Sequence, residues 1–249
     1  MSIKFSIITP VLNGEKYIEQ TIQSIIQQTY SNIEYIIVDG ESSDRTLEII
    51  DKYKDKISKL IIHKDKTMYE ALLRGFNKAN GDYFCWINSD DFLLDNRSVE
   101  RAVSYIQRYK HNWFNCNIAI SKNNGKPRKY FPFLYPNWIL KRGLANNCFW
   151  GFVQQENTIF SKNLYNRVNG INPKFRMAGD YDLWKRFAQY ENLNPVNLDF
   201  ACHRKSANQL TNLDNYYKEI GKPRCLINLF YPLRIITSFI YKFFIPHIE

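Results

Sequence analysis

Over the first 110 positions, short runs of β-branched and apolar residues alternate with stretches of helical spacing. Phe5 to Val11 reads as a buried strand ended by Pro10. From Tyr17 onward Ile18, Ile22, Ile25 and Ile26 share one helical face. Ile33 to Val38 is a second strand, stopping at Asp39-Gly40. Asp44 is placed to cap a second helix that buries Leu47, Ile50 and Tyr53. Leu60-Ile61-Ile62 gives a third strand, and Met68, Ala71, Leu72, Phe76 and Ala79 a third helix with Asn80-Gly81 as its C-cap. A fourth apolar run, Tyr83 to Ile87, ends in Asn88-Ser89-Asp90-Asp91. Strands alternating with helices in this order predict an α/β fold with a mostly parallel sheet and helical crossovers.

Beyond this half the pattern changes. Val99, Ala102, Val103 and Ile106 mark one more helix. Phe114 to Ile118 alternates like a strand, and Asn123-Asn124-Gly125-Lys126 reads as a hairpin turn toward Tyr130-Phe131. These predict antiparallel strands added to the parallel sheet. Residues 129–152 are rich in aromatics without a clear period, and suit either a substrate-facing loop system or a second layer of core. In the tail, Leu233, Ile236, Ile240, Phe243 and Phe244 fall on one helical face and Arg234, Ser238 and Lys242 on another. That pattern suits a helix lying in a membrane surface, or one packed on its own domain or on a second copy as a homodimer. Pro232, Arg234 and Lys242 argue against a bilayer-spanning helix.

Composition narrows the partners. With 34 basic against 24 acidic residues the formal charge is +10, which points to an anionic partner such as a nucleotide-sugar or an acidic membrane surface. No nucleic-acid-binding motif accompanies the charge, so nucleic acid is not the expected partner. The five cysteines form no CxxC pair and indicate neither a zinc site nor a disulfide framework; a reducing, cytoplasmic setting is expected. The N-terminus enters a strand at once and has no signal-peptide core.

The acidic cluster carries the chemistry. Carboxylates at the C-terminal tip of a strand lie where open α/β sheets bind ligands. Two adjacent aspartates there repel each other unless solvent or a cation separates them, so a divalent metal is the natural partner of Asp90 and Asp91.

Five segments in order then resemble family 2 glycosyltransferases of the GT-A fold. They are Phe5-Ser6-Ile7-Ile8-Thr9-Pro10-Val11-Leu12-Asn13, Ile37-Val38-Asp39-Gly40-Glu41-Ser42-Ser43-Asp44-Arg45-Thr46, Asn88-Ser89-Asp90-Asp91, Gln155-Glu156-Asn157-Thr158-Ile159-Phe160 and Ala178-Gly179-Asp180-Tyr181-Asp182-Leu183-Trp184. The last two are similar to the distal motifs of bacterial polysaccharide and O-antigen members. The resemblance implies a Rossmann-like, mixed but mostly parallel sheet flanked by helices. It divides the chain into a transferase domain over 1–211, with a nucleotide-sugar half (1–110) and an acceptor half (111–211), and a C-terminal helical tail over 212–249.

The resemblance also implies roles. Thr9, Pro10, Asn13, Asp39, Asp65, Arg74, Asn88 and Asp90 would bind the nucleotide-sugar, Arg74 reaching for the diphosphate. Asp91 would ligate Mn²⁺ or Mg²⁺. Asp180 would be the base that takes the acceptor proton; relatives often have Glu-Asp here, whereas this chain has Gly179-Asp180. Glu156 would stand near the acceptor or serve as a hydrogen-bonded scaffold. His203 and Arg204, before Gln209-Leu210-Thr211, resemble a motif that closes over the diphosphate, although the arginine often found two places before that histidine is Ala201 here. The implied activity is inverting, metal-dependent transfer of one sugar, from a UDP-sugar by preference, to a glycan or lipid-linked acceptor at the inner face of the cytoplasmic membrane. A nucleotidyltransferase would want a Gly-rich phosphate loop, which Val11-Leu12-Asn13-Gly14-Glu15 is not. A catalytically inactive nucleotide-binding scaffold is the non-enzymatic alternative, against which the intact Asp39, Asp91 and Asp180 argue.

Overall fold

A computed structural model describes residues 2–122, 126–146, 150–205 and 213–221, with Pro232 and residues 235–237 beyond them. The first half runs β1 (Phe5–Val11), α1 (Ile18–Ile26), β2 (Ile33–Asp39), α2 (Thr46–Asp51), β3 (Lys59–Ile62), α3 (Met68–Lys78) and β4 (Tyr83–Trp86). Next come β5 (Phe92–Leu93), α4 (Ser98–Tyr109), β6 (Trp113–Asn115), β7 (Ile118–Lys122), β8 (Arg128–Tyr130) and α5 (Asn137–Lys141). The remainder is β9 (Thr158–Ser161), α6 (Lys162–Arg167), α7 (Gly179–Phe187), β10 (Asn194–Pro195), β11 (Ala201–Lys205) and α8 (Leu213–Glu219).

The main sheet has the order β10-β6-β9-β4-β1-β2-β3. β1 lies between β2 and β4, parallel to both, and β3 continues the parallel set beyond β2. β9 is antiparallel to both β4 and β6. The result is the expected mixed, mostly parallel sheet. Helices cover both its faces, so successive residues of β1 enter different cores: Ile7 packs with Ile18, Ile22 and Val99, while Ile8 packs with Leu72, Phe76 and Trp184. Much of the aromatic content fills the second of these cores. Phe76 meets Tyr165 at 4.8 Å and Phe84 at 5.4 Å, and Trp184 stacks on Trp86 at 5.6 Å and on Trp113 at 5.8 Å.

Two local expectations need correction. The alternating run Phe114–Ile118 is not one strand. β6 ends at Asn115, and β7 belongs to a second sheet of order β5-β11-β7-β8. Between them the backbone N–H of Cys116 donates to Asn157 and that of Asn117 to Leu198, so the chain leaves one ladder before joining the other. Gly81 is not a left-handed helix cap. Helix α3 ends on Ala79 in extended backbone. Gly81 instead lies so close to β1 that a Cβ would fall 2.5 Å from Ser6 Oγ and 2.8 Å from its backbone nitrogen. Helix α2 ends at Asp51 and buries Thr46, Ile49 and Ile50, while Leu47 and Tyr53 pack half-buried against the same core as expected, Tyr53 also donating to Glu19 at 2.9 Å.

Residues 129–152 supply a second layer of core, one of the two readings expected of them. Tyr135, Ile139, Leu140, Ala145 and Trp150 are core, while Leu140, Gly143, Ala145 and Phe152 also line a cavity described below. β7 and β8 pair antiparallel as the hairpin requires, although Asn123, Asn124 and Gly125 of its turn lie outside the described residues. So does most of the amphipathic tail, and so does Gln209-Leu210-Thr211. Among the described residues no helix is long and apolar enough to cross a membrane.

Candidate active site

Because β1, β2 and β4 run parallel, the loops that follow them share one edge of the sheet. Val11 pairs with Asp39, which sets the tips of β1 and β2 side by side. Backbone N–H groups of the first loop are then received by the second. Asn13 donates to Ser42 Oγ at 2.9 Å, Gly14 to Thr46 Oγ1 at 2.8 Å and Glu15 to Asp44 Oδ2 at 3.0 Å. Asn13, held left-handed at φ 52°, accepts in turn from Ser43 N at 2.8 Å. Asp39 is fully buried and accepts from Ser42 N and Oγ at 2.8 and 2.7 Å. A Cβ on Gly14 would lie 3.3 Å from Ser89 Oγ, so the loop after β4 borders the same edge.

That third loop holds the acidic cluster. Asp91 is fully buried; its Oδ1 accepts from Arg204 N at 2.9 Å and lies 3.3 Å from His203 Nδ1. Asn88 Nδ2 stands 3.4 Å from Asp91 Oδ2. Glu156, just ahead of β9, completes the group. One donor atom from each of Asp91, Glu156 and His203 falls within 4.8 Å of the others. Burial raises the Glu156 pKa, with the negative charge of Asp91 adding to it and His203 opposing. Burial and the neighbouring Asp91 likewise raise that of Asp90. Burial works against the His203 imidazolium, but Asp91, Glu156 and Asp90 outweigh it and carry its pKa up to about 9.

The donor set fits a hard divalent cation. Glu156 Oε1 is buried with no hydrogen-bond partner, as is Asn88 Oδ1. An unpaired carboxylate oxygen beside a second carboxylate and an imidazole is the environment a cation such as Mn²⁺ would satisfy. The sequence pointed to the pair Asp90 and Asp91 as partners of a divalent metal, with Asp91 as the direct ligand. Glu156 and His203, expected near the acceptor or the diphosphate, stand beside Asp91, and Asp90 is not among the three.

Asp180 opens α7. Its Oδ1 accepts from Tyr181 N at 2.8 Å and lies 3.2 Å from the hydroxyl of Tyr69, at the start of α3. Burial raises its pKa to about 6, against the lowering by those two hydrogen bonds. Since α3 begins at the same sheet edge, following β3, Tyr69 brings Asp180 to the side that carries Asp39 and Asp91. Gly179 makes this contact possible: a Cβ there would lie 2.6–2.7 Å from three atoms of the Tyr69 ring. The Tyr69 ring thus fills the space that a side chain at position 179 would take. Asp180 also lines a cavity with Leu140, Phe152, Tyr181, Trp184 and Tyr216.

The other expected residues are placed differently. Thr9 is fully buried within the sheet, its hydroxyl 3.3 Å from the Tyr35 hydroxyl, and Pro10 is buried beside it. Asp65 pairs with Arg74 at 2.9 Å and lies 3.3 Å from His63 Nδ1, so Arg74 is engaged by its own neighbour. Arg204 does not open toward a diphosphate. It is 2% exposed, its Nε donates to the Asp90 carbonyl at 2.8 Å and its guanidinium stacks 4.3 Å from the Tyr17 ring. It supports the acidic loop from beneath. Tyr69 and Glu219 were not foreseen. The Thr67-x-x-Glu70 capping pattern marks the start of α3 and hence the turn that presents Tyr69, but nothing in the sequence marks Tyr69 itself.

The chain is 27% identical over 218 residues, 87% of its length and 82% of the relative's, to UDP-Glc:alpha-D-GlcNAc-diphosphoundecaprenol beta-1,3-glucosyltransferase WfgD of Escherichia coli. It is 25% identical over 181 residues, 72% of its length and 67% of the relative's, to a PGL/p-HBAD biosynthesis glycosyltransferase of Mycobacterium tuberculosis. In fold it matches the crystal structure of S. aureus TarS 1-349 in complex with UDP-GlcNAc, with TM-score 0.70 at 18% identity, over 87% of this chain and 64% of that one. It also matches the mannosyltransferase PcManGT from Pyrobaculum calidifontis in complex with GDP-Man and Mn2+, with TM-score 0.64 at 14% identity, over 97% of this chain and 70% of that one. Residues 6–168, well over half of the sequence and including the tips of β1, β2 and β4 and the Glu156 turn, match Glycosyl transferase family 2. The chain therefore belongs to glycosyl transferase family 2 and is a glycosyltransferase of the GT-A fold.

Proposed function

We propose that the chain is an inverting, metal-dependent transferase that moves one sugar from a UDP-sugar to a lipid-linked glycan of surface polysaccharide synthesis. The observation that carries this reading is the meeting of a cation-sized donor group, Asp91–Glu156–His203, and a separately held carboxylate, Asp180, at one edge of the sheet. WfgD, named for a UDP-glucose donor and a diphosphoundecaprenol-linked acceptor, supports the choice of both substrates. The formal charge of +10 suits an anionic membrane surface.

In this reading residues 1–110 grip the donor and residues 111–211 the acceptor. Asp39 and Asn13 face the nucleoside from the joined loops after β2 and β1. Asp91, Glu156 and His203 hold Mn²⁺ or Mg²⁺, which when bound neutralises charge on the diphosphate. Asp180 accepts the proton of the acceptor hydroxyl as its oxygen bonds to the anomeric carbon. The bond from that carbon to the diphosphate oxygen breaks on the opposite face, and the nucleoside diphosphate departs with the electron pair. A carboxylate suffices as base because the hydroxyl becomes acidic only as the new bond forms.

The test is a transfer assay with purified protein, UDP-glucose and a synthetic GlcNAc-diphospholipid, with and without Mn²⁺. Further UDP- and GDP-sugars extend the donor panel. UDP release that needs both acceptor and metal is the expected result. Turnover untouched by a chelator, or a product of retained anomeric configuration, contradicts the reading.

A further inference from the structure

The three N–H groups that lead into the Asp180 helix have an unusual recipient. Glu219, on the last turn of α8, accepts from Arg176 N at 2.8 Å through Oε1, and from Met177 N at 2.9 Å and Ala178 N at 3.0 Å through Oε2. Ala178 is fully buried and is the N-cap of α7; its carbonyl accepts from Asp182 N at 3.1 Å, closing the first turn. On the other side of the same segment, the Met177 carbonyl lies 3.2 Å from the Tyr69 hydroxyl, which is also 3.2 Å from Asp180 Oδ1. One turn earlier on α8, Tyr216 packs 5.1 Å from the Phe152 ring and 6.2 Å from that of Tyr181, and it lines the cavity that Asp180 lines.

We infer that Glu219 is a positioning residue for Asp180, so that α8, from outside the stretch that matches the family, completes the acceptor side of the active site. The inference rests on the reading of Asp180 as the base. Successive N–H groups ahead of a helix form a concave donor site that suits an anion. A carboxylate meets all three because it only accepts, whereas an amide in its place turns an NH₂ toward at least one of them. Charge-assisted bonds of this kind are stronger than neutral ones. Their effect is to fix residues 176–178 in one path, and with it the angle at which α7 begins. Asp180 lies two residues beyond, so a shift of this segment moves the carboxylate relative to the acceptor oxygen without touching the donor-binding loops.

The experiment compares wild type with Glu219→Gln and Glu219→Ala in the UDP-glucose and GlcNAc-diphospholipid assay, together with UDP affinity in Mn²⁺ and amide hydrogen exchange over residues 176–184. A displacement of about 1 Å at a reacting group costs on the order of 10²-fold in rate. The expected order of kcat is wild type, then Glu219→Gln roughly tenfold lower, then Glu219→Ala roughly 10²-fold lower. UDP affinity stays within about twofold, as it should when only the base moves. Exchange speeds up across 176–182 in both variants. Turnover of Glu219→Gln equal to wild type overturns the inference, as does a fall in UDP affinity in step with kcat. If Glu219→Ala does not fold, the Gln variant decides. If wild type transfers nothing, which would count against the functional reading alone, exchange decides: unaltered protection at 179–182 in Glu219→Gln overturns the positioning role.

Discussion

His203 Nδ1 lies 3.3 Å from Asp91 Oδ1, which continues the antiparallel pairing of β11 with β5 by one residue into the acidic loop. Without a cation, three carboxylates around the imidazole keep it protonated, its pKa carried up to about 9. The imidazolium then takes up some of the positive charge that the donor group calls for.

A raised pKa means that the folded protein binds this proton more tightly than the unfolded chain does. The stabilisation is fully present below the ordinary histidine value of 6.5 and is lost as pH rises through 9. The melting temperature of metal-free protein is therefore expected to decline between pH 7 and 9, and His203→Gln to flatten that decline. An identical slope in the variant would rule out His203 as its source.

Metal affinity should respond in the opposite direction. A coordinating imidazole is neutral, so each cation bound below pH 9 displaces the His203 proton. Mn²⁺ affinity is expected to rise about tenfold per pH unit between 7 and 9, with one proton released per ion in calorimetry. Asp91→Asn and Glu156→Gln should each remove the Mn²⁺-dependent rise in melting temperature. Binding that is independent of pH over this window would exclude His203 from the ligand set.

The base role proposed for Asp180 requires the ionised carboxylate, and burial raises its pKa to about 6. Turnover is therefore expected to fall as pH drops through 6. The Tyr69 hydroxyl lowers that pKa by hydrogen bonding to the carboxylate. Tyr69→Phe should accordingly move the acid limb of the kcat profile to higher pH. A limb unmoved in Tyr69→Phe would show that the hydroxyl does not act on the base.

Gly179 has no room for a methyl group, because the Tyr69 ring occupies it at 2.6–2.7 Å. Overpacking of this kind costs about 1–3 kcal/mol. Gly179→Ala should lower stability by that amount in denaturant titration and reduce turnover by displacing Tyr69 from Asp180. Wild-type stability in this variant would mean that the ring yields freely.

The parallel half of the fold was legible in the sequence because β1, β2 and β4 are covered on both faces and so read as unbroken apolar runs. The passage from β6 to β7 was not, since Phe114 to Ile118 keeps its alternation while the backbone changes partners at Cys116 and Asn117. Gly81 looked like a helix cap because a glycine needed for close approach is spelled the same way as one needed for positive φ. Asp91 and Asp180 could be named from motif order, but the company they keep could not. Glu156 and His203 are separated from Asp91 by long stretches of chain, and only the pairing of β11 with β5 and β7 brings His203 back to it. Arg204 illustrates the converse: beside His203 in sequence, on a strand whose side chains alternate, it turns to the opposite face and is buried against Tyr17 and Phe92. Glu219 left no mark at all, being one acidic residue on a polar helix.

The role of Asp180 is tested most directly by measuring single-turnover sugar transfer and UDP binding side by side in wild type and Asp180→Asn. Asparagine keeps the shape and cannot take a proton, so transfer is expected to fall by about 10²- to 10⁴-fold while UDP affinity in Mn²⁺ stays unchanged. Transfer at the wild-type rate by Asp180→Asn would contradict the account.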